Sequence, residues 1–227
     1  MNFNNLSKEI KHILFTNRCA VCRKVVENKI YICDDCKKFL SRTNENFIWQ
    51  EHIYLSQIFF DDIISPFYYD NASKNAMLNM KFRKIKEICD FFGEEMAENI
   101  FHKYTKADFD YIVYVPTTKL RLRERGFNPP YEMAEKIREI SKISILKDLF
   151  NRNNQSKTQH SLDYSERVIN ANKSYSINID KLNGKNFLLI DDICTSGATL
   201  NSLSRLLKEN GAEKVICSVG CIGNKII

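Results

Sequence analysis

Two groups of residues in this chain have the types and spacing that chemistry requires. The first is Phe187-Leu188-Leu189-Ile190-Asp191-Asp192-Ile193-Cys194-Thr195-Ser196-Gly197-Ala198-Thr199. An apolar run ends in two adjacent carboxylates, a hydroxyl-rich loop with one glycine follows, and Leu200 to Leu207 reads as a helix. A strand, loop and helix of this composition suit a sugar phosphate. Main-chain N–H groups at a helix N-terminus favour an anion. The hydroxyls of Thr195, Ser196 and Thr199 add hydrogen bonds, and Gly197 lets the backbone approach closely. Open α/β sheets bind ligands at the C-terminal ends of their strands, the place expected for Asp191 and Asp192. Vicinal carboxylates suit ribose hydroxyls and a hard cation such as Mg²⁺. A buried strand followed by a capped helix would share parts of this string but not all of it. No Gly-rich loop ending in Gly-Lys-Ser/Thr is present, so a Walker-type nucleotide site fits poorly.

The second group is Cys19-Ala20-Val21-Cys22 and Cys33-Asp34-Asp35-Cys36, two CxxC pairs with ten residues between them. A tetrahedral Zn²⁺ takes four soft ligands converging from two such knuckles. Residues 23–32 can form a short hairpin that brings the knuckles together. Arg18, Arg23, Lys24, Lys37 and Lys38 lie close enough in sequence to offset the thiolate charge. A thioredoxin-like redox pair needs one CxxC in a βαβ context, so structural zinc at Cys19, Cys22, Cys33 and Cys36 fits better. A closed four-ligand site leaves no open position for catalysis. Cys89, Cys194, Cys217 and Cys221 stand at unrelated spacings and read as buried packing.

The elements that must position these groups follow from periodicity. Leu6, Ile10, Ile13 and Leu14 sit at helical spacing before the first CxxC. Ile63 to Tyr69, with Pro66, reads as an edge strand. Asn71 to Lys81 and Ile85 to His102 carry helical stripes. Tyr111 to Val115 is an apolar strand, Pro130 to Ile140 a helix with proline near its start, and Ile143 to Phe150 a further strand. Asn151 to Lys173 is long, polar and free of glycine, and a loop of that length is usually functional. Phe187 to Ile190, a helix from about Ala198 to Asn210 stopped by Gly211, and Lys214 to Val219 complete a βαβ unit. Alternating strands and helices specify an α/β fold, a parallel sheet with helices on both faces.

Composition sets outer bounds. The chain has 227 residues, 44% hydrophobic and 27% charged, which suits one medium domain with a small appendage. No apolar stretch approaches the ~18–20 residues of a membrane span, and Met1 to Phe15 lacks the apolar core of a signal peptide, so a cytoplasmic location is expected. The net charge of +6 is unevenly spread: +5 over residues 1–42, −5 over 43–114, +5 over 115–175 and +1 over 176–227. Two basic blocks suit polyanionic partners, a sugar diphosphate or nucleic acid, or are simply solvated faces.

The string around Asp191 and Asp192 resembles the phosphoribosyl-pyrophosphate (PRPP) signature of type I phosphoribosyltransferases. Three more segments narrow the likeness: Met80-Lys81-Phe82, Leu120-Arg121-Leu122-Arg123-Glu124-Arg125-Gly126-Phe127-Asn128, and Ser156-Lys157-Thr158-Gln159 leading to Glu166-Arg167 and Asn170. With the two CxxC pairs, this order is similar to the ComF family, specifically its ComFC-type competence proteins, over about residues 15 to 222. The resemblance implies a type I phosphoribosyltransferase-like domain over residues 51–227, and an N-terminal helix with a four-cysteine zinc finger over 1–50. It implies a part in natural transformation, with PRPP and Mg²⁺ bound, single-stranded DNA handled, and a DNA-uptake helicase or recombination protein as partner.

By the same resemblance, Asp191 and Asp192 bind ribose hydroxyls and Mg²⁺ and carry any catalysis. Thr195, Ser196, Gly197, Ala198 and Thr199 wrap the 5′-phosphate. Thr117, Thr118 and Lys119 occupy the pyrophosphate loop. Arg121, Arg123 and Arg125 contact phosphates or nucleic acid, and a flexible loop bearing Lys157, Gln159 and Arg167 closes over the site. The chain departs from the family at Pro116-Thr117-Thr118, where Pro-Leu-His is usual, and at Thr158-Gln159, where Pro-Gln is usual. No segment reads as a hood for a purine or pyrimidine edge. Three readings stand: a phosphoribosyl transferase with an unknown acceptor, a nucleobase-salvage enzyme, and an inactive PRPP-sensing module that binds DNA or protein.

Overall fold

The computed structural model describes residues 17–27, 30–44, 47–152, 175–178 and 182–223. The expected helix at Leu6 to Leu14 lies outside them, as do Lys157, Gln159 and Arg167. The elements in chain order are β1 (Asn17–Arg18), β2 (Val25–Val26), α1 (Asp34–Lys37), β3 (Asp62–Ile64), β4 (Phe67–Tyr69), α2 (Asn71–Phe82) and α3 (Ile88–Lys103). They continue with β5 (Tyr111–Tyr114), α4 (Lys119–Arg125), α5 (Pro129–Ser141), β6 (Ser144–Ile145), β7 (Phe150–Arg152), β8 (Tyr175–Ile177), β9 (Asn186–Cys194), α6 (Ala198–Glu209) and β10 (Lys214–Gly223).

The main sheet runs β3-β10-β9-β5-β6, with β4 also pairing β10, and every pairing in it is parallel. The parallel α/β class expected from the alternation is therefore present. Such sheets are covered on both faces, and their strands are near-continuous apolar runs. In β9, Leu188 and Ile190 join one buried cluster with Met77, Met80, Phe92, Met96, Met133 and Ile137 of α2, α3 and α5. Phe187 and Leu189 join the other with Leu200, Leu203 and Leu207 of α6. Among the described residues, no helix is long and apolar enough to cross a membrane.

Local chemistry sets the helix ends. Asp70 caps α2: its carboxylate accepts the Ser73 N–H at 2.9 Å, and the Ser73 hydroxyl oxygen accepts the Asp70 N–H at 2.9 Å. Pro129 opens α5, where its missing N–H costs nothing. α3 and α5 cross closely at Gly93, where an added Cβ would come within 2.7 Å of the Lys136 Cβ.

Three element boundaries differ from those read in the sequence. The expected strand over 143–150 is two short strands, broken at Asp148 (φ 55°), and the second pairs antiparallel with β8. The hairpin expected over 23–32 instead spans β1 and β2, so the first CxxC occupies its turn. β9 runs four residues past Ile190, which puts Asp191 and Asp192 inside the strand.

Candidate sugar-phosphate site and thiol cluster

The β1–β2 turn holds Cys19 and Cys22, Cys33 caps α1, and Cys36 lies within it. Their sulfurs all fall within 4.8 Å of one another. Cys22 and Cys33 Sγ are 3.8 Å apart, and a tetrahedron with Zn–S of about 2.3 Å has edges of about 3.8 Å. The donor set and its spacing thus fit zinc. Burial works to push the Cys19 thiol up, but main-chain N–H donors from Cys22, Cys33 and Val21 outweigh it and bring it down to about 6. Two of those donors, Val21 and Cys33 N–H, each reach Sγ at 3.4 Å. A thiolate is the form that binds metal. The knuckle docks on α2, where the Asn79 side-chain amide donates to the Ala20 carbonyl at 2.6 Å.

The second site gathers at the C-terminal ends of β5 and β9, which pair directly. In β9, alternation sends neighbouring carboxylates to opposite faces. Asp191 pairs with Val219, on the α6 side of the sheet, and is buried. Burial, and then the negative charge of Asp192, push its carboxyl well above the usual range. It accepts the Asp192 N–H at 2.8 Å. Asp192 meets Lys81 of α2, with Nζ to Oδ2 at 2.6 Å and side chains only 17% and 13% exposed. The ammonium sits on the carboxylate oxygen that a cation would take. Asp192 can therefore hold Mg²⁺ if Lys81 yields, and Asp191 lies buried beside it with Oδ1 on the Asp192 N–H.

After β9, Thr195 is exposed, Ser196 and Thr199 are half-buried, and Gly197 and Ala198 are buried. Gly197 has φ +74°, and a Cβ there would come within 2.9 Å of Ile53 Cγ2, so both backbone and space require glycine. α6 begins at Ala198, which leaves its first N–H groups at this loop.

After β5, Thr118 caps α4 and accepts the Arg121 N–H at 3.2 Å, while Lys119, the first residue of the helix, is exposed. Thr117 lines a cavity of about 370 Å³ with Tyr114, Phe127, Tyr131 and Phe150 among its walls. The three arginines do not form one patch. Arg121 and Arg125 are one turn apart and half-buried, and Arg123 is exposed. Burial, then the charge of Arg121, lower the Arg125 pKa, and the negative charge of Asp192 opposes them.

Three residues at this site had no role in the sequence reading. Lys81 is one; Met80-Lys81-Phe82 entered only as a mark of family likeness, with no task at the site. The others are Arg152 and Tyr175, cross-strand partners in the β7–β8 pair. The Arg152 guanidinium lies over the Tyr175 ring, 5.5 Å from its centroid. Burial raises the pKa of the buried Tyr175 hydroxyl, and the positive charge of Arg152 opposes it. Tyr175 thus joins the β7–β8 pair to α6, where it packs with Leu200 and Leu203. No periodicity marks it in the sequence.

A family model described as "Phosphoribosyl transferase domain" matches residues 124–225. Competence protein ComFC of Bacillus subtilis (strain 168) is 27% identical over 200 residues, 88% of this chain and 75% of that protein. Competence protein ComFC of Streptococcus pneumoniae is 32% identical over 155 residues, 66% of this chain and 63% of that one. DNA utilization protein YhgH of Escherichia coli (strain K12) is 24% identical over 139 residues, 60% and 61% of the two chains. These likenesses support a ComFC-type, phosphoribosyltransferase-like protein.

Proposed function

We propose that this protein binds PRPP with Mg²⁺ at the C-terminal edge of its sheet and handles single-stranded DNA during natural transformation, in the cytoplasm. The observation that carries this reading is the junction of three segments at adjacent strand ends: the carboxylates of β9, the Gly197 loop, and Thr117 to Lys119 after β5. Competence is the role that the names of the Bacillus and Streptococcus relatives give.

In this reading Asp191 and Asp192 serve the ribose hydroxyls and Mg²⁺, and Thr195 to Thr199 wrap the 5′-phosphate. Thr117, Thr118 and Lys119 face the diphosphate. Bound Mg²⁺ would supply charge neutralisation of the departing diphosphate. Arg121 and Arg125, half-buried beside the site, suit fixed phosphate contacts, and exposed Arg123 suits a nucleic-acid backbone. Lys157, Gln159 and Arg167 close the site against water. Zinc at the four cysteines of the 1–50 finger is structural, and the 51–227 domain carries the ligand. A DNA-uptake helicase or recombination protein completes the assembly.

The test is the double substitution Asp191→Ala with Asp192→Ala. It should abolish PRPP binding while zinc content stays intact, and surviving affinity would refute the site. Arg123→Ala should weaken single-stranded DNA binding and reduce its salt slope by about one unit. An unchanged slope moves the DNA surface elsewhere.

A second reading, nucleobase salvage, draws on the aromatic cavity beside Thr117. Release of pyrophosphate from PRPP on adding a free base would favour it. PRPP binding without pyrophosphate release with any base or DNA favours a sensing module.

A further inference from the structure

Arg152 is the one residue at this site whose chemistry has no account inside the fold. It ends β7, directly opposite Tyr175 at the start of β8, so the two side chains share a face of the hairpin. Its Nε is buried and finds no acceptor among the described residues. A buried guanidinium donor without a partner is costly, and native structures rarely leave one unless a ligand or water completes it. The Tyr175 ring beneath it restrains the guanidinium plane, as a cation over an aromatic face does. That ring is itself buried in one cluster with Leu200 and Leu203 of α6, the helix that follows the Gly197 loop. Arg121 brings a second guanidinium to bear on the same phenol. A cation with an unfilled donor therefore sits on a ring that packs against the first turns of α6. The carboxylate nearest by charge, Asp191, is engaged by the Asp192 N–H.

We propose that Arg152 is a phosphate-binding residue of the PRPP site, with Tyr175 as the residue that positions it. This rests on the PRPP reading above. The guanidinium fork donates to phosphate oxygens of the bound sugar phosphate, and Nε gains the acceptor it lacks. PRPP offers such oxygens from two sources, its 5′-phosphate and its diphosphate. The packing of Tyr175 against α6 favours the 5′-phosphate, and the fragments ribose 5-phosphate and pyrophosphate separate the sources.

The experiment is calorimetric titration of the zinc-loaded full chain with Mg²⁺-PRPP, with ribose 5-phosphate and with Mg²⁺-pyrophosphate. Wild type, Arg152→Gln and Tyr175→Phe are compared. Arg152→Gln should weaken PRPP about tenfold or more, the usual effect of removing a charge-assisted hydrogen bond. It should weaken one of the two fragments by a similar factor, and that fragment identifies the phosphate. Tyr175→Phe keeps the ring under the guanidinium and loses only the hydroxyl, so its loss should be smaller. Wild-type affinities for all three ligands in Arg152→Gln overturn the role of Arg152 and leave the PRPP site standing. Binding of none of them by the wild type overturns both. If the glutamine variant does not fold, Arg152→Lys serves. It keeps the charge but loses the fork, so PRPP should weaken severalfold, and unchanged affinity overturns the inference.

Discussion

The thiol cluster and the sugar-phosphate site are organised in opposite ways. All four cysteines come from one stretch, Cys19 to Cys36, joined within itself by the Ala20 N–H to the Tyr31 carbonyl at 2.7 Å and by hydrogen bonds to Cys19 Sγ. The other site draws on α2, β5 with α4, the β7–β8 pair and β9 with α6, and the two cores of the sheet hold these in place. Its charges are already matched: Lys81 covers Asp192, and a main-chain N–H covers Asp191. A site made from one stretch of chain depends on its ligand for order. A site made from many stretches depends on the fold, which here already pairs the charges that a ligand would take.

Metal removal tests that contrast with the largest effect. Structural zinc contributes on the order of 10 kcal/mol in small zinc modules. A chelator, or Cys36→Ser, should abolish hydrogen-exchange protection at Cys19 and Arg23, whose amides close the β1–β2 turn. Amides of β9 and β10 should keep theirs. Loss of both sets together would show that the two regions are one unit, joined through Asn79 and Ala20.

Lys81→Met asks how far the fold alone matches the charges. It leaves Asp192 largely buried and unpaired, and stability in chemical denaturation should fall by about 3 kcal/mol. Adding Mg²⁺ should restore part of that loss. An unchanged midpoint would mean that Asp192 reaches solvent without its partner.

Asp70→Ala is the smallest. Losing the cap of α2 should cost about 1 kcal/mol. Burial raises the Asp70 carboxyl, but hydrogen bonds from Ser41 and Ser73 outweigh it and hold its pKa below the usual range. A depressed carboxyl stabilises the fold above its unfolded pKa and loses that contribution as pH falls through the folded value. The gap between wild type and variant should therefore narrow in acid. A gap that is constant with pH would remove the charge from the explanation.

The same contrast explains what could be read in the sequence. The two CxxC pairs are local, and spacing alone joined them. The β9–α6–β10 unit was also local, and Gly197, expected to let the backbone approach closely, has φ +74° with no room for a Cβ. Asp191 and Asp192 looked like a strand end because carboxylates seldom sit inside buried strands. They do so here because Lys81, from a distant helix, neutralises one of them and the backbone satisfies the other. Asp148, at φ 55°, broke an apolar run that periodicity had joined. The pairing of Arg152 with Tyr175 spans a segment whose composition says nothing of its register. Contacts between distant segments, unlike spacing within one, leave no local pattern.

The most direct test of the central claim is a calorimetric titration of Mg²⁺-PRPP into the zinc-loaded protein. The account predicts saturable binding at one site per chain. Folded, zinc-loaded protein that takes up no PRPP would contradict it, and would leave DNA or protein contacts as the whole of its function.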